Sequence, residues 1–315
     1  MNLLTSMRYL VALHEHRHFG RAAVACHITQ PALSNAMRAL EEEFKVVIVK
    51  RGRNYAGLTP EGERVLLSAQ RMLHERDVLQ QDLGSEADKP RGPLRMGAVP
   101  TAVPILARFA AMLQAQHSGI VPVVLSMSSS DLETALENLS LDLALGYTER
   151  MPTGDSTLTA LPQYTEHYFL LRRAAVAHPD SLQIGPKMPW TEAATLPLAL
   201  LTPDMHNRSI IDAAFLAAGN PVKPALETNS ILTLALSVVA GKVCSIMPGA
   251  LVSAMRGYRE LEALPLTGPG VRTPIGFMTQ AAVRPSRALD AALSLAQDGA
   301  WLRHAAAHSG LLTVD

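Results

Sequence analysis

Cysteine is nearly absent from this chain of 315 residues: Cys26 and Cys244 are its only two thiols. They fall in different predicted domains, which excludes a disulfide framework and fits a reducing cytoplasm. Cys26 reads as a small core residue, with a redox switch as the alternative. Long hydrophobic runs are missing as well. The longest nearly apolar stretch, residues 231–240, contains Thr233 and Ser237 and is too short to cross a bilayer. No basic stretch with an apolar segment behind it opens the chain, so neither export nor a membrane partner is expected. Charge of one sign is not in excess, with 28 Lys/Arg against 28 Asp/Glu. G-x-S-x-G, P-loop and G-x-G-x-x-G motifs are absent, which leaves hydrolase and nucleotide-binding readings without a motif, and no cofactor is implied. What is present, 48% apolar residues over this length, is enough for two or three domains with proper cores.

The most informative segment runs from Phe19 to Arg53. Phe19, Ala22, Ala23 and Ile28 are apolar at short spacing, and the small Ala22-Ala23 pair lets a second helix approach closely. Thr29 is a good N-cap, Gln30-Pro31 suits a first helical turn, and Leu33, Met37 and Leu40 recur at helical spacing. The opposite face carries Gln30, Ser34, Asn35 and Arg38, groups suited to base edges and phosphates in a major groove. The β-branched run Val46 to Val49, the cations Lys50, Arg51 and Arg53, and the lead-out Leu58-Thr59-Pro60 suggest a short hairpin wing. Residues 1–60 hold 8 Lys/Arg and 4 acidic residues, so the remaining 255 sum to −4. Positive charge is concentrated where duplex DNA would require it.

His14-Glu15-His16-Arg17-His18 contains H-E-x-x-H, which on one helix would place two imidazoles together for zinc. Phe19-Gly20 follows at once, at the expected turn between two helices. A solvated turn is therefore expected, with no metal and no catalytic residue.

The segment resembles the LysR-type transcriptional regulators of bacteria. The resemblance rests on A-A-x-x-x-x-I-T-Q-P-A-L-S from Ala22 to Ser34, R-x-L-E-E-E from Arg38 to Glu43, and L-T-P-E-G-E from Leu58 to Glu63. It departs where the family usually has Leu-Gly and this chain has Phe44-Lys45, where Ile48-Val49 replaces Leu-Phe, and where Asn35 replaces a common arginine. The resemblance implies an N-terminal all-α winged helix-turn-helix with a long linker helix, followed by an α/β two-lobed effector domain like periplasmic solute-binding proteins. DNA contacts are expected from Arg21, Thr29, Gln30, Pro31, Ala32, Ser34, Asn35, Arg38, Lys50, Arg51 and Arg53.

Beyond the wing, Val65, Leu66, Met72, Leu73, Leu79 and Leu83 form a narrow stripe that predicts one long dimerisation helix over residues 59–83. Residues 84–93, rich in Gly and Pro, break all periodicity and read as a hinge. Strand-like runs at 94–99, 121–127 and 141–146 then alternate with helices at 102–116 and 131–139, predicting a mainly parallel sheet. A second set restarts with strands at 167–172, 198–201, 225–227 and 243–247 and helices at 209–218 and 231–240. A strand at 275–279 and a helix at 286–295 return to the first lobe. The expected domains are 1–60 for DNA binding, 61–90 for the linker, and 91–315 for the effector, with lobe I at 91–163 and 267–315 and lobe II at 164–266.

In open parallel sheets ligands sit beyond the carboxyl ends of strands. That places Thr101, Ser128, Ser129, Tyr147, Thr202 and His206 at an effector cleft, with Arg208 as a weaker candidate. The resemblance supports Thr101, Ser128, Ser129 and Thr202 and adds Met247-Pro248. Ser130 and Glu133 fit a capping box that would leave Ser128 and Ser129 free for ligand. Hydroxyls and helix dipoles without a large aromatic lining suggest a small anion such as a short carboxylate. The expected partners are double-stranded promoter DNA, a small-molecule effector and a second copy of the chain in a dimer or tetramer, with RNA polymerase left open. The alternative is a ligand-binding module or enzyme whose N-terminal helices serve assembly only.

Overall fold

The computed structural model describes residues 2–50, 52, 55–84, 89–151, 157–310 and 312. The chain divides into two compact units, one of residues 1–86 with 138–140 and 284–287, the other of the remainder.

The first unit holds α1 (Leu3–His16), α2 (Phe19–Ala25), α3 (Gln30–Phe44) and α4 (Pro60–Gly84). Side chains satisfy the free N–H groups at their starts. Asn2 accepts from the Leu4 amide at α1, and Thr29 from the Ala32 amide at α3. Such caps are worth about 1 kcal/mol each. Met7, Leu10 and Leu13 of α1 pack on Ala22 and Ala23 of α2 and on Leu33, Ala36, Met37 and Leu40 of α3. Leu66 and Ala69 of α4 and Ile48 and Leu58 complete this core.

Among the described residues the expected short hairpin wing is pinned by one antiparallel bridge, Val49 to Leu58, and a Lys50 N–H to Gly57 carbonyl bond of 3.0 Å. The donors that a longer ladder needs are spent on α3. The Val46 amide donates to the Glu41 carbonyl, and the Ile48 and Val49 amides donate to the Glu41 carboxylate at 2.8 and 3.2 Å.

The second unit runs β1 (Gly92–Ala98), α5 (Val103–Gln116), β2 (Ile120–Ser126), α6 (Ser129–Glu137), β3 (Leu143–Tyr147), β4 (Leu158–Arg173), β5 (Gln183–Ile184), β6 (Met188–Pro189) and α7 (Trp190–Ala193). It continues with β7 (Leu198–Leu201), α8 (His206–Ala217), β8 (Leu226–Thr228), α9 (Ile231–Ala240), β9 (Cys244–Pro248), α10 (Gly249–Ala254), β10 (Leu261–Thr267), β11 (Arg272–Gln280), α11 (Arg287–Ala296) and α12 (Gly299–Ala307). The strand order is β2-β1-β3-β11-β4-β9-β7-β8, with β10 pairing β4, β5 and β6. Each lobe has a parallel group, β2-β1-β3 in one and β9-β7-β8 in the other. The expected mainly parallel sheet is corrected at its centre, where β11 and β4 are antiparallel to each other and to their outer neighbours.

The 16-residue β4 passes through both lobes, pairing β11 along its first part and β9 and β10 along its last. Its side chains alternate, as the pleat requires. Tyr168 and Leu170 enter the core around Trp190 and Phe215, while Phe169 and Leu171 enter the one around Leu234 and Met247. The first lobe has a separate core around Phe109, Phe277 and Trp301.

Candidate functional site

In the first unit the caps set the geometry of the exposed face of α3. α1 ends at His16 with Arg17 in the left-handed region, and His18 caps α2, its Nδ1 accepting from the Gly20 and Arg21 amides at 3.0 and 3.3 Å. The H-E-x-x-H residues are thus split between two elements. Among the described residues no group of three or more His, Cys, Asp or Glu could hold a metal ion.

On α3, Thr29 is the cap, Gln30, Pro31, Asn35 and Arg38 are exposed, and Ala32 and Ser34 are half-buried. Arg21 is exposed, its guanidinium donating to the His16 carbonyl at 2.9 Å, and Lys50 is exposed beside the bridge of the wing. Arg51 and Arg53 lie outside the described residues. Glu41, read in the sequence only as part of an acidic triplet, fixes the wing to α3 by its two amide bonds. Lys45, at the position where the family usually has glycine, caps α3 at φ 54°, a conformation that glycine adopts without steric cost.

The second unit has a narrow void lined by Val99, Pro100, Thr101, Ser128, Ser129, Tyr147, Leu201, Met205, His206 and Asn207. Thr101 follows β1, Tyr147 ends β3, and their hydroxyls are 3.0 Å apart at 1% and 2% exposure. Burial, with the neighbouring Glu166 second, raises the Tyr147 phenol well above its ordinary value. His206 opens α8, its ring edge-on to Tyr147 at 4.8 Å and its Nε2 3.4 Å from the Glu149 carboxylate. Among the described residues no Lys or Arg lines the void.

The expected Ser130–Glu133 capping box does not form. Ser128 caps α6, accepting from the Asp131 amide at 3.2 Å and donating to its carboxylate at 2.7 Å, while Glu133 pairs with Arg150 at 2.9 Å. Ser128 is therefore occupied, whereas the Ser129 hydroxyl is buried and unpartnered, as are Thr202 Oγ1 and Asn207 Nδ2. Thr202 lies just beyond β7 and does not line the void.

Met247 is fully buried in a second-lobe core, and Pro248 ends β9 opposite Tyr168; neither is among the residues that line the void. β9 is covered on both faces, and its carboxyl end is buried rather than open. Arg208 is occupied by Asp212 at 2.8 Å, Glu227 at 2.6 Å and the Leu201 carbonyl at 2.8 Å, which ties α8 to β7 and β8.

Sequence reasoning missed Glu166, which is fully buried on β4. Tyr168 donates to its Oε2 at 3.5 Å, and its Oε1 has no hydrogen-bond partner. Burial pushes this carboxyl up to about 8, with Glu149 adding to the rise and the hydroxyls of Tyr168 and Thr101 opposing it. The available signal was a lone acid inside an apolar strand. A wider groove of about 580 Å³, bounded by Pro104 of α5, Ile231 of α9 and Met255, was also unforeseen. Burial raises the thiols of Cys26 and Cys244 above their ordinary range.

Residues 4–63 match the bacterial regulatory helix-turn-helix proteins of the lysR family, and residues 87–301 match the LysR substrate binding domain. The DNA-binding transcriptional dual regulator OxyR of Escherichia coli is 28% identical over 285 residues, spanning 87% of this chain and 88% of that one. A hydrogen peroxide-inducible genes activator of Pectobacterium carotovorum subsp. carotovorum is 39% identical over 103 residues, 33% of this chain and 34% of the relative. Among solved structures, a full-length OxyR variant from Pseudomonas aeruginosa superposes with a TM-score of 0.66 at 23% identity, over 92% of this chain and 96% of that one. CbnR complexed with its target DNA gives 0.64 at 18% identity, over 97% and 100%. At these identities the structural likeness speaks for the fold.

Proposed function

The chain belongs to the LysR family of bacterial transcriptional regulators, and we propose that α3 reads duplex DNA while the cleft at Thr101 binds a small anion of the short-carboxylate class. The observation that carries the effector reading is the set of buried, unsatisfied groups, Ser129 Oγ and Asn207 Nδ2, at the starts of α6 and α8. A buried donor without a partner costs about 1–3 kcal/mol, which an acceptor-rich ligand would recover. Helix N-termini add amides and a positive dipole end.

Peroxide is the signal suggested by the names of several relatives. Two features of this chain favour the anion instead. Its two cysteines lie in separate units, and burial raises both thiols away from the reactive thiolate form.

Self-association is supported by α4, which leaves Met72, Leu79 and Leu83 exposed on a helix of 25 residues. Among the described residues no helix is long and apolar enough to cross a membrane. The protein would work in the cytoplasm, without a catalytic step of its own. Effector binding changes DNA engagement only as far as the two arrangements differ in effector affinity.

Two substitutions test the sites separately. In fluorescence anisotropy with DNA from upstream of the gene, Arg38→Ala should weaken specific binding by about 1–3 kcal/mol. An unchanged affinity and salt slope would remove Arg38 from the interface. Thr101→Val should abolish the response to formate and acetate while sparing operator binding, and a normal response in that variant would move the effector site elsewhere.

A further inference from the structure

Among the described residues that line the void, only His206 can carry positive charge, and it already has an acidic partner. His206 is the first residue of α8, in the second lobe. Its Nε2 lies 3.4 Å from a carboxylate oxygen of Glu149, which follows β3 in the first lobe. The ring is steadied edge-on against the buried Tyr147, the last residue of β3. The pair therefore ties the two lobes together beside the void.

The nearby cations are engaged elsewhere. Arg150, next to Glu149, is held by Glu133 at 2.9 Å, and Arg208 of α8 by Asp212 and Glu227. Two further groups of the lining, Ser129 and Asn207 beside Tyr147, are 8% and 4% exposed, and Ser129 Oγ and Asn207 Nδ2 have no hydrogen-bond partner. The void measures about 10 Å³, room for one water. Even a short carboxylate is larger, so its entry requires groups around the void to part. An imidazolium Nε2 has one proton to give. For an anion to receive it, Glu149 must let go.

We propose that Glu149 is a built-in carboxylate that occupies His206 in the resting protein, and that an incoming anion takes its place and so undoes a tie between the lobes. The inference rests on the reading of the cleft as an anion site. His206 is 21% and Glu149 43% exposed along the side chain, so the pair is weak enough to be exchanged.

The test uses acetate as probe, titrated by calorimetry into the full-length protein at about pH 6, below the ordinary imidazole value of about 6.5. E149Q removes the competitor and should bind acetate about twofold to fivefold more tightly than wild type. E149D keeps the charge but falls one methylene short of His206, and it should bind as tightly as E149Q. Glu149 is exposed, so neither substitution disturbs a core. In nitrogen NMR spectra at the same pH, E149Q should move the His206 Nε2 signal before any acetate is added. An unmoved signal overturns the proposal whatever acetate does. Equal acetate affinity in all three proteins overturns the competition and leaves the anion reading standing. Tighter binding by E149Q alone means that Glu149 acts by repulsion at a distance, which overturns the exchange at His206. If none of the three binds acetate, the anion reading falls and this proposal with it.

Discussion

Gly62→Ala should destabilise the first unit by about 3 kcal/mol or more and abolish operator binding. In an ordinary helix the same change gains about 0.5–1 kcal/mol, because glycine loses more backbone freedom on folding. Here the first turn of α4 lies against the backbone of the wing. Thr59 caps the helix, accepting from the Gly62 amide at 2.9 Å and donating to the Val47 carbonyl. A Cβ on Gly62 would overlap the Ile48 carbonyl oxygen and lie 2.9 Å from its carbon. These are backbone atoms, and the Ile48 amide is already held by Glu41, so the wing has little room to retreat. Thermal unfolding should show an earlier transition for the first unit and an unchanged one for the second. Gly84→Ala is the control, since its Cβ meets nothing within 4 Å. A Gly62→Ala protein as stable as wild type would mean that the wing yields freely.

The stability of the second unit should fall, relative to E166Q, as pH rises from about 4.5 to about 8. The folded protein holds the Glu166 proton across this window while the unfolded chain has released it. The unfolded state then binds fewer protons, and the slope of unfolding free energy with pH is negative. Below about 4.5 both states carry the proton and there is no penalty; above about 8 both have lost it and the difference levels off. The integrated loss is on the order of a few kcal/mol. Denaturant melts of wild type and E166Q at matched pH measure it, and a difference independent of pH would mean that Glu166 ionises as easily folded as unfolded.

Much of this architecture is legible in the residues because local chemistry and the fold agree. Thr29-Gln30-Pro31 marks the start of α3, and α9 and β7 occupy the expected residues 231–240 and 198–201. Where the structure departs from the reading, a side-chain contact has taken over, sometimes within a few residues and sometimes across more than a hundred. The wing has the right β-branched residues, but Glu41 captures its amides. Only the last part of β4 is visible as an apolar run, because Pro162, Gln163 and Glu166 interrupt what comes before. Gln163 is satisfied by Trp301 at 2.6 Å and the Ala296 carbonyl at 3.1 Å, partners more than a hundred residues away. Several of the residues expected at strand ends do line one void, yet the role of each hydroxyl depends on which one serves as a cap. Ser128 and Ser129 are adjacent and chemically identical, and only the start of α6 distinguishes them.

The order in which the strands are made has a consequence during synthesis. β3 needs β11 on one side, and β11 begins at Arg272, more than a hundred residues after Tyr147. While the ribosome makes the intervening lobe, β1, β2 and β3 can already pair, but the inner edge of β3 stays open, and its five residues are ones the finished fold buries completely. An unpaired apolar edge invites pairing with another nascent chain. The first unit, whose contacts are local, can fold as soon as it emerges. The first lobe of the second must wait for β11, the last strand among the described residues, so the newly made effector half is the part of the molecule most in need of a chaperone.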